Sequence, residues 1–529
     1  MYFKDVFEVQ NSEENALKTI TMQYLILVFI FPVLQCLEIF ESVSLLKNLF
    51  ENEIQSVLRL NEYQKSIKEC SNTTNQQLKT LERISRLKLL SPDDYLKNPL
   101  NQFSLVKRFV YFWNELNEEI KSNCRLNLFE KKFVFPNHKD MLGTFRSILR
   151  LQHTYKLKTE DLVNGQLFSQ RSIKAFNVYD CVNLGVQAQI MEKFEYCYDW
   201  LFISYELLNC DNSNSERCNH VIWHLAYCSF QTFKLSHMKF LLDRLFVKSK
   251  HSKNKFMLLT NIYKDFEAQD DDDDDEDDDG ESDDEFSTYE KLCRSEKLEQ
   301  QTVNNNLKCY LWTNKNNPRL VISPFKIEEL SKEPHIVRFY SVVTDMEADK
   351  IVEKAQKDLS RALVGYGVKV EVSNERICEV SWLEEHKDAI LKPIIQRIGD
   401  LTGLDLTNSE SLQAANYGLA GHFEPHDDAL GDAYTPNDRI ATFLIYLSDV
   451  EFGGSTVFVR PLVIAKPAKG DALLWFNKRP NGNIAFEAKH AGCPVAIGNK
   501  WVVTKWVNYH DNLFAYRCIE HNRHSYTLF

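Results

Sequence analysis

The residues best suited to chemistry lie near the C-terminal end of the chain: His426, Asp428, His490 and Lys500. The first two form a His-x-Asp pair within His-Phe-Glu-Pro-His-Asp-Asp, residues 422–428. His490 follows 64 residues later in Lys-His-Ala-Gly-Cys-Pro, and Lys500 comes ten residues after it in Gly-Asn-Lys-Trp. Alternate residues of a strand point to one face, so His426 and Asp428 can reach one ion from a strand end. The third ligand then has to come from a neighbouring strand, which accounts for the long gap. Two imidazoles and one carboxylate on one face of an ion are the donor set of non-haem iron(II) oxygenases. Such a set leaves positions for a chelating 2-oxo acid and for dioxygen. Lys500 adds a compact cation on a long apolar stem, suited to the distal carboxylate of 2-oxoglutarate.

A His-x-Asp pair alone carries little weight, so the reading depends on the elements around it. Leu412–Tyr417 leads into the pair, and Arg439–Tyr446 follows it, rich in β-branched and aromatic residues. Gly453–Phe458, Gly470–Phe476, Val495–Ile497 and Trp501–Trp506 continue the pattern, with Gly and Pro between them. Short strands at this spacing predict a double-sheet jelly roll. Pro334–Phe339 reads as a support strand, and Asp345–Ala355 and Asp388–Leu401 read as helices packed on one face.

Residues 411–506 closely resemble the catalytic domain of the collagen prolyl 4-hydroxylase alpha subunit. The resemblance is carried by Asn416-Tyr417-Gly418, Glu424-Pro425-His426, Arg439 to Val450, Gly453-Gly454, Thr456-Val457-Phe458, His490-Ala491, Cys493-Pro494-Val495 and Gly498-Asn499-Lys500-Trp501. It implies that His426, Asp428 and His490 bind Fe(II), that Lys500 binds the C5 carboxylate of 2-oxoglutarate, and that L-ascorbate rescues oxidised iron. Related lysyl hydroxylases carry Arg at the Lys500 position, so Lys favours proline as target. Tyr417 aligns with an active-site tyrosine of the family. Arg439 and Thr442 read as structural. One departure is Asn508, where the family has a histidine thought to orient 2-oxoglutarate. Asn508 can donate a hydrogen bond but cannot carry charge, which implies slow turnover rather than a different reaction. The resemblance also implies disulfides Cys293–Cys309 and Cys493–Cys518.

The 529-residue chain carries a formal charge of −12, but the block Asp270–Glu285 holds 14 acidic groups and no Lys or Arg. The remainder is close to neutral, and nothing calls for nucleic acid. The apolar run Tyr24–Leu34 is too short for a transmembrane helix and fits a signal-peptide core. The segment before it is not basic, so Met22 is an alternative start. These features predict a signal peptide over residues 1–36, cleaved near Gln35–Leu37, with entry into the endoplasmic reticulum lumen and no transmembrane segment in the mature chain. Asn72-Thr-Thr74 is the one glycosylation sequon. The chain ends in Tyr526-Thr-Leu-Phe529 without a retention signal. The family obtains retention from protein disulfide isomerase as beta subunit, in an alpha-two, beta-two tetramer.

The N-terminal half reads as all-α. Residues 37–140 read as a helical region, and from Leu37 to about Leu90 the apolar residues Ile39, Val43, Leu46, Phe50, Ile54 and Leu58 recur at helical spacing, a stripe that predicts a coiled-coil partner or packing within the chain. The family dimerises its alpha subunits through this region. Ser91-Pro92-Asp93-Asp94 reads as a helix start. Residues 143–265 read as helix pairs of a tetratricopeptide-like unit. In the family this unit binds proline-rich, collagen-like chains in a tyrosine-lined groove. Here Phe194-Glu195 replaces two adjacent tyrosines, with Tyr196 and Tyr198 close by, which points to an altered peptide preference. Cys197, Cys210, Cys218 and Cys228 fit either bridges or buried thiols. Residues 266–287 read as an acidic, disordered linker, ahead of a catalytic domain over 288–529. The expected function is 4-hydroxylation of peptidyl proline in procollagen. A prolyl hydroxylase for other secreted proteins and a weakly catalytic peptide-binding subunit are the alternatives.

Overall fold

The structure, a computed structural model, describes residues 39–62, 75–246, 280–295, 307–514 and Tyr526, apart from 88, 126, 131–132, 169, 173–175, 212–214, 367–368, 387, 432–434 and 436. Tyr24–Leu34, the Asn72 sequon, Asp270–Asp279 and Cys518 lie outside the described residues. Among those described, no helix is long and apolar enough to cross a membrane.

The first helices are α1 (Val43–Glu62), α2 (Asn75–Leu87), α3 (Pro92–Leu96), α4 (Pro99–Lys107) and α5 (Asn114–Cys124). The Ser91 hydroxyl accepts the Asp94 N–H and starts α3. The α1 stripe is spent inside the chain: Val43, Leu46 and Phe50 are buried, and the Phe50 ring stacks on Tyr95 at 4.8 Å. The N-terminal part of the stripe therefore packs within the chain, against α3, while Leu58 farther along α1 is exposed. Glu53, fully buried, accepts from both Arg108 and Trp113, so the charge that interrupts the stripe is satisfied locally.

Next come α6 (His138–Tyr155), α7 (Thr159–Val163), a two-residue hairpin of β1 (Gln166–Leu167) and β2 (Gln170–Arg171), and α8 (Val178–Ile190), α9 (Phe194–Leu207), α10 (Glu216–Gln231) and α11 (Leu235–Phe246). Asn137 and Asn177 start α6 and α8 with capping boxes closed by Asp140 and Asp180. Both pairs of cysteines left open by sequence are bridged. Cys197–Cys228 ties α9 to α10, and Cys210–Cys218 closes the turn between them.

Helix α12 spans Gly280–Cys293, so the last residues of the acidic block are helical rather than linker. Its Glu285 accepts from Arg460 at 3.0 Å and Lys489 at 3.1 Å, which supplies the countercharge a like-charged run lacks. Cys293 at the end of α12 bonds to Cys493, Cα to Cα 5.5 Å, correcting both expected pairings. The reason is topological. Helix α12 lies against Phe423–His426, Thr456–Phe458 and Val463–Ala465, strands of the same sheet as His490–Gly492, whereas Cys309 opens an edge strand and is a free, exposed thiol.

The C-terminal half is built on β3 (Cys309–Trp312), β4 (Phe325–Lys332), β5 (His335–Phe339), β6 (Ser360–Arg361), a β7–β8 hairpin (Val364–Tyr366, Lys369–Glu371), β9 (Glu379–Leu383), β10 (Leu412–Tyr417), β11 (Phe423–His426), β12 (Arg439–Tyr446), β13 (Val450–Gly453), β14 (Thr456–Phe458), β15 (Val463–Ala465), β16 (Ala472–Phe476), β17 (His490–Gly492), β18 (Val495–Gly498) and β19 (Lys500–Asn508). The large sheet has the order β3-β4-β5-β16-β12-β19-β10-β9-β6, and the small one β11-β17-β14-β15. Helices α13 (Pro318–Ile322), α14 (Asp345–Ala355) and α15 (Leu391–Thr402) accompany them. On the outer face of the large sheet, Ile351 of α14 and Ile394 and Ile398 of α15 join Phe339, Phe443, Leu474 and Val503 in one apolar cluster. On the inner face Tyr417, Tyr446, Phe458 and Trp475 fill a second cluster between the sheets. This is the expected jelly roll, with its functional residues on the inner face.

Candidate active site

His426 closes β11 and His490 opens β17, and the two residues are paired directly across these antiparallel strands. The register slips by one residue between Phe423 and His426. Pro425 sits in that bulge, where its missing N–H breaks no ladder bond. Asp428 lies two residues beyond His426. One donor atom from each of His426, Asp428 and His490 falls within 4.8 Å of the others. The Asp428 carboxylate is 3.8 Å from His426 Nε2 and 3.5 Å from His490 Nε2.

The backbone fixes both imidazoles. His426 Nδ1 lies 2.7 Å from the Glu424 carbonyl, and His490 Nδ1 lies 3.1 Å from the Ala488 carbonyl. A carbonyl can only accept, so each Nδ1 carries a proton and each Nε2 is the ring nitrogen left facing Asp428. Burial, aided by His490, lowers the His426 pKa to about 3, so the ring is neutral at ordinary pH. Burial alone would raise Asp428, but His490, Arg439 and the Thr442 hydrogen bond outweigh it and hold the carboxylate well below its usual range. Two imidazole donors and one anionic oxygen, buried and converging, suit a divalent transition metal.

The surrounding side chains restrict movement. The Thr442 hydroxyl donates to Asp428 Oδ2 at 2.7 Å and itself accepts from Asn477 Nδ2 at 2.9 Å. Phe423 stacks on His426 at 3.5 Å, and Trp475 stands edge-on to His490 at 4.5 Å. Arg439 forms a bidentate pair with Glu410 and lies over Trp506 at 3.8 Å.

A cavity opens from these donors toward Lys500 and Tyr417. Tyr417 pairs with Lys500 across β10 and β19, and the ammonium is 4.8 Å from the tyrosine ring centre. Lys500 is 2% exposed, and burial lowers its pKa to about 7. Among the described residues no carboxylate pairs with it, so a bound anion would supply the missing countercharge. Tyr417 is also buried, and burial raises its phenol pKa. Lys500, Val502, Thr504 and Trp506 all line the cavity, as alternate residues of one strand must.

Asn508 does not join them, although it has the same parity. Its side-chain carbonyl accepts the N–H groups of His510 and Asp511 and caps the turn at His510–Asn512. The β12–β19 register also shifts between Arg439 and Ala441, beside Asn508. The expectation that Asn508 reaches the co-substrate is corrected accordingly. Sequence reading passed over Thr442 and Asn477 as site residues. The inward parity of Thr442 on β12, two residues before the cavity-lining Leu444, was the available signal.

The sequence-family model described as Prolyl 4-Hydroxylase alpha-subunit, N-terminal region, matches residues 42–169, and that of the 2OG-Fe(II) oxygenase superfamily matches residues 412–508. Prolyl 4-hydroxylase subunit alpha-1 of Gallus gallus is 30% identical over 509 residues, covering 91% of this chain and 98% of that protein. Subunit alpha-2 of Gallus gallus is 31% identical, covering 91% and 95%. Among solved structures, the viral collagen prolyl hydroxylase from Paramecium Bursaria Chlorella virus-1 in its 2OG complex matches at 24% identity and a TM-score of 0.29, over 32% of this chain and 94% of that one. A likeness that runs through both the helical half and the strands carrying His426 and His490, at this identity and coverage, places the chain in the prolyl 4-hydroxylase alpha-subunit family, with a 2-oxoglutarate- and Fe(II)-dependent dioxygenase domain in its C-terminal half.

Proposed function

We propose that this chain is the catalytic alpha subunit of a peptidyl-proline 4-hydroxylase of the endoplasmic reticulum lumen. The observation that carries the reading is a single cavity holding three convergent metal donors at one end and a buried, unpaired lysine at the other. His426 Nε2, Asp428 and His490 Nε2 would hold Fe(II). When bound, the iron supplies the redox centre at which dioxygen converts 2-oxoglutarate to succinate and CO₂ and C4 of proline is hydroxylated.

The protein's own groups do the rest. Lys500 meets the distal carboxylate, and its low-dielectric setting strengthens that pairing once the ammonium is protonated. Tyr417 forms the wall beside it. Thr442 and Asn477 keep Asp428 in one rotamer. Phe423, Trp475 and Phe458 pack around the imidazoles and exclude water. L-ascorbate is the expected reductant for oxidised metal. Protein disulfide isomerase is the expected beta subunit, in an alpha-two, beta-two tetramer.

The proposed peptide site is the aromatic face of α9 and α11. Tyr198 stacks on Phe202 with planes 7° apart, and His237 stands edge-on to both. Lys234 lies over the Tyr198 ring at 3.8 Å and pairs with Glu195 at 3.0 Å. That ion pair favours a second reading, a hydroxylase for proline-rich secreted proteins other than collagen, because a charged couple now borders a face suited to bare prolines.

Protein co-expressed with protein disulfide isomerase and supplied with Fe(II) and ascorbate should decarboxylate 2-oxoglutarate when given a proline-rich peptide. A panel of (Pro-Pro-Gly) repeats and non-collagen peptides separates the two readings by preference. Peptide binding without turnover, in protein shown to hold metal, would leave a binding subunit instead.

A further inference from the structure

Neighbouring residues of a strand face opposite ways. On β10, Tyr417 faces the cavity and Asn416 faces away from it, into a buried contact with the start of the described chain. Asn416 Oδ1 accepts from Ser42 Oγ at 2.6 Å and from the Ser44 N–H at 3.0 Å. Asn416 Nδ2 donates to Asn499 Oδ1 at 2.8 Å and to the Lys500 carbonyl at 3.1 Å. One side chain thus joins a segment 374 positions upstream to the backbone of the residue that carries the cavity's cation.

That segment is held from both sides. The Gly418 N–H donates to the Glu41 carbonyl and the Leu419 N–H to the Phe40 carbonyl, each at 2.8 Å. A Cβ at Gly418 would stand 2.1 Å from the Phe40 carbonyl oxygen, so only glycine permits the approach. The Glu41 carboxylate pairs with Arg361 at 2.7 Å, both side chains buried. On the other side the Ile39 N–H donates to Asp140 Oδ1 at 2.9 Å, and the Phe40 ring covers Gly143 of α6. Farther along α6, Arg150 reaches the Ala420 carbonyl and the Tyr155 hydroxyl donates to the Pro494 carbonyl at 2.5 Å. The helical half therefore grips the backbone just before the His426 strand and just after the His490 strand.

We propose that Ser42, acting through Asn416, is a positioning residue for the co-substrate end of the site. The segment Phe40–Ser42 would set the placement of Tyr417 and Lys500 toward the distal carboxylate of a 2-oxo diacid. The inference rests on the proposed function, since it takes that diacid as the ligand of Lys500. Ser42 touches neither metal donors nor cavity. Removing its hydroxyl takes one donor from Asn416 Oδ1 and loosens the amide that holds the Lys500 carbonyl.

The test is calorimetric titration of 2-oxoglutarate into the full-length chain, co-expressed with protein disulfide isomerase and loaded with Mn(II) so that no turnover occurs. Ser42→Ala should weaken 2-oxoglutarate roughly five- to tenfold, the effect of one buried hydrogen bond, with Mn(II) affinity and peptide affinity unchanged. Asn416→Ala should weaken it at least as much, and the double variant no further than Asn416→Ala alone, because both changes break one relay. If Asn416→Ala fails to fold, Asn416→Asp takes its place, keeping the acceptor and losing the Nδ2 donors. Unchanged affinity in Ser42→Ala overturns the proposal. So do additive losses, or losses shared equally by Mn(II) and peptide, which mark general structural support. A wild-type protein that binds Mn(II) but not 2-oxoglutarate would remove the functional reading and this inference with it.

Discussion

His426 and His490 face each other across an antiparallel strand pair with ring centroids 4.3 Å apart, each with its Nδ1 proton held by the carbonyl two residues earlier in its own chain segment. Neither ring can swing away without breaking that bond. His426→Ala or His490→Ala should therefore lower metal affinity by more than about 100-fold, beyond the range of outer supporting contacts. The visible absorption of a Co(II)-loaded protein reads this directly. A Co(II) spectrum unchanged in either variant would mean that the metal sits elsewhere.

Thr442 supports the third donor. Valine has its shape but not its hydroxyl, so Thr442→Val leaves Asp428 Oδ2 and Asn477 Nδ2 each short of a partner. The expected loss is about 10–100-fold in metal affinity or turnover, with thermal stability affected far less. Thr442→Ser should recover most of it. Equal behaviour of the Ser and Val variants would reduce Thr442 to packing.

Much of this arrangement was legible in the sequence, because periodicity and local turn chemistry decide single elements. Leu412–Tyr417, Arg439–Tyr446 and Asp345–Ala355 have the boundaries that their composition indicates. His426, Asp428, His490, Lys500 and Tyr417 converge on one cavity. What sequence missed depends on distant partners. The helix at Gly280–Glu285 needs Arg460 and Lys489 to offset its charge. The α1 stripe does not reveal from sequence that its Phe50 stacks on Tyr95 of α3. Asn508 shares its parity with the cavity residues, and only the register shift beside it and its role as a turn cap remove it from the site. Gly418 gave a readable hint of close backbone approach, but not that Phe40 makes it.

Lys500 implies a pH dependence of co-substrate binding. Its folded pKa is about 7, below the ordinary value, because burial disfavours the charged form. Below about pH 7 the ammonium is present and binds the carboxylate. Above it, binding must first take up a proton, so affinity should fall toward about tenfold per pH unit. Without co-substrate the sign reverses for stability. The unfolded chain holds this proton more tightly, so stability from this group rises as pH climbs from about 7 toward the unfolded value near 10.4. Lys500→Arg keeps its charge across that range and should flatten the binding profile. Titration of 2-oxoglutarate between pH 6 and 9 tests this, and a flat wild-type profile would show that Lys500 is already charged throughout.

The Cys293–Cys493 bond closes a loop of 200 residues and anchors α12 to the turn that follows the His490 strand. Chain-entropy reasoning gives about 5 kcal/mol for a loop of that length, so Cys293→Ser should lower the denaturation midpoint and steepen the slope, because the uncrosslinked unfolded chain exposes more surface. The bridge also sits three residues from His490, and the Cys493 N–H donates to the Ser455 carbonyl at 2.8 Å. Its loss should weaken metal binding as well as stability, whereas loss of Cys197–Cys228, far from the metal strands, should affect stability alone. Alkylation of the unreduced protein followed by peptide mapping provides the chemical check. Cys309 should be labelled and Cys293 protected, and a Cys293–Cys309 peptide would instead place α12 against the sheet edge and remove its support of the His490 turn.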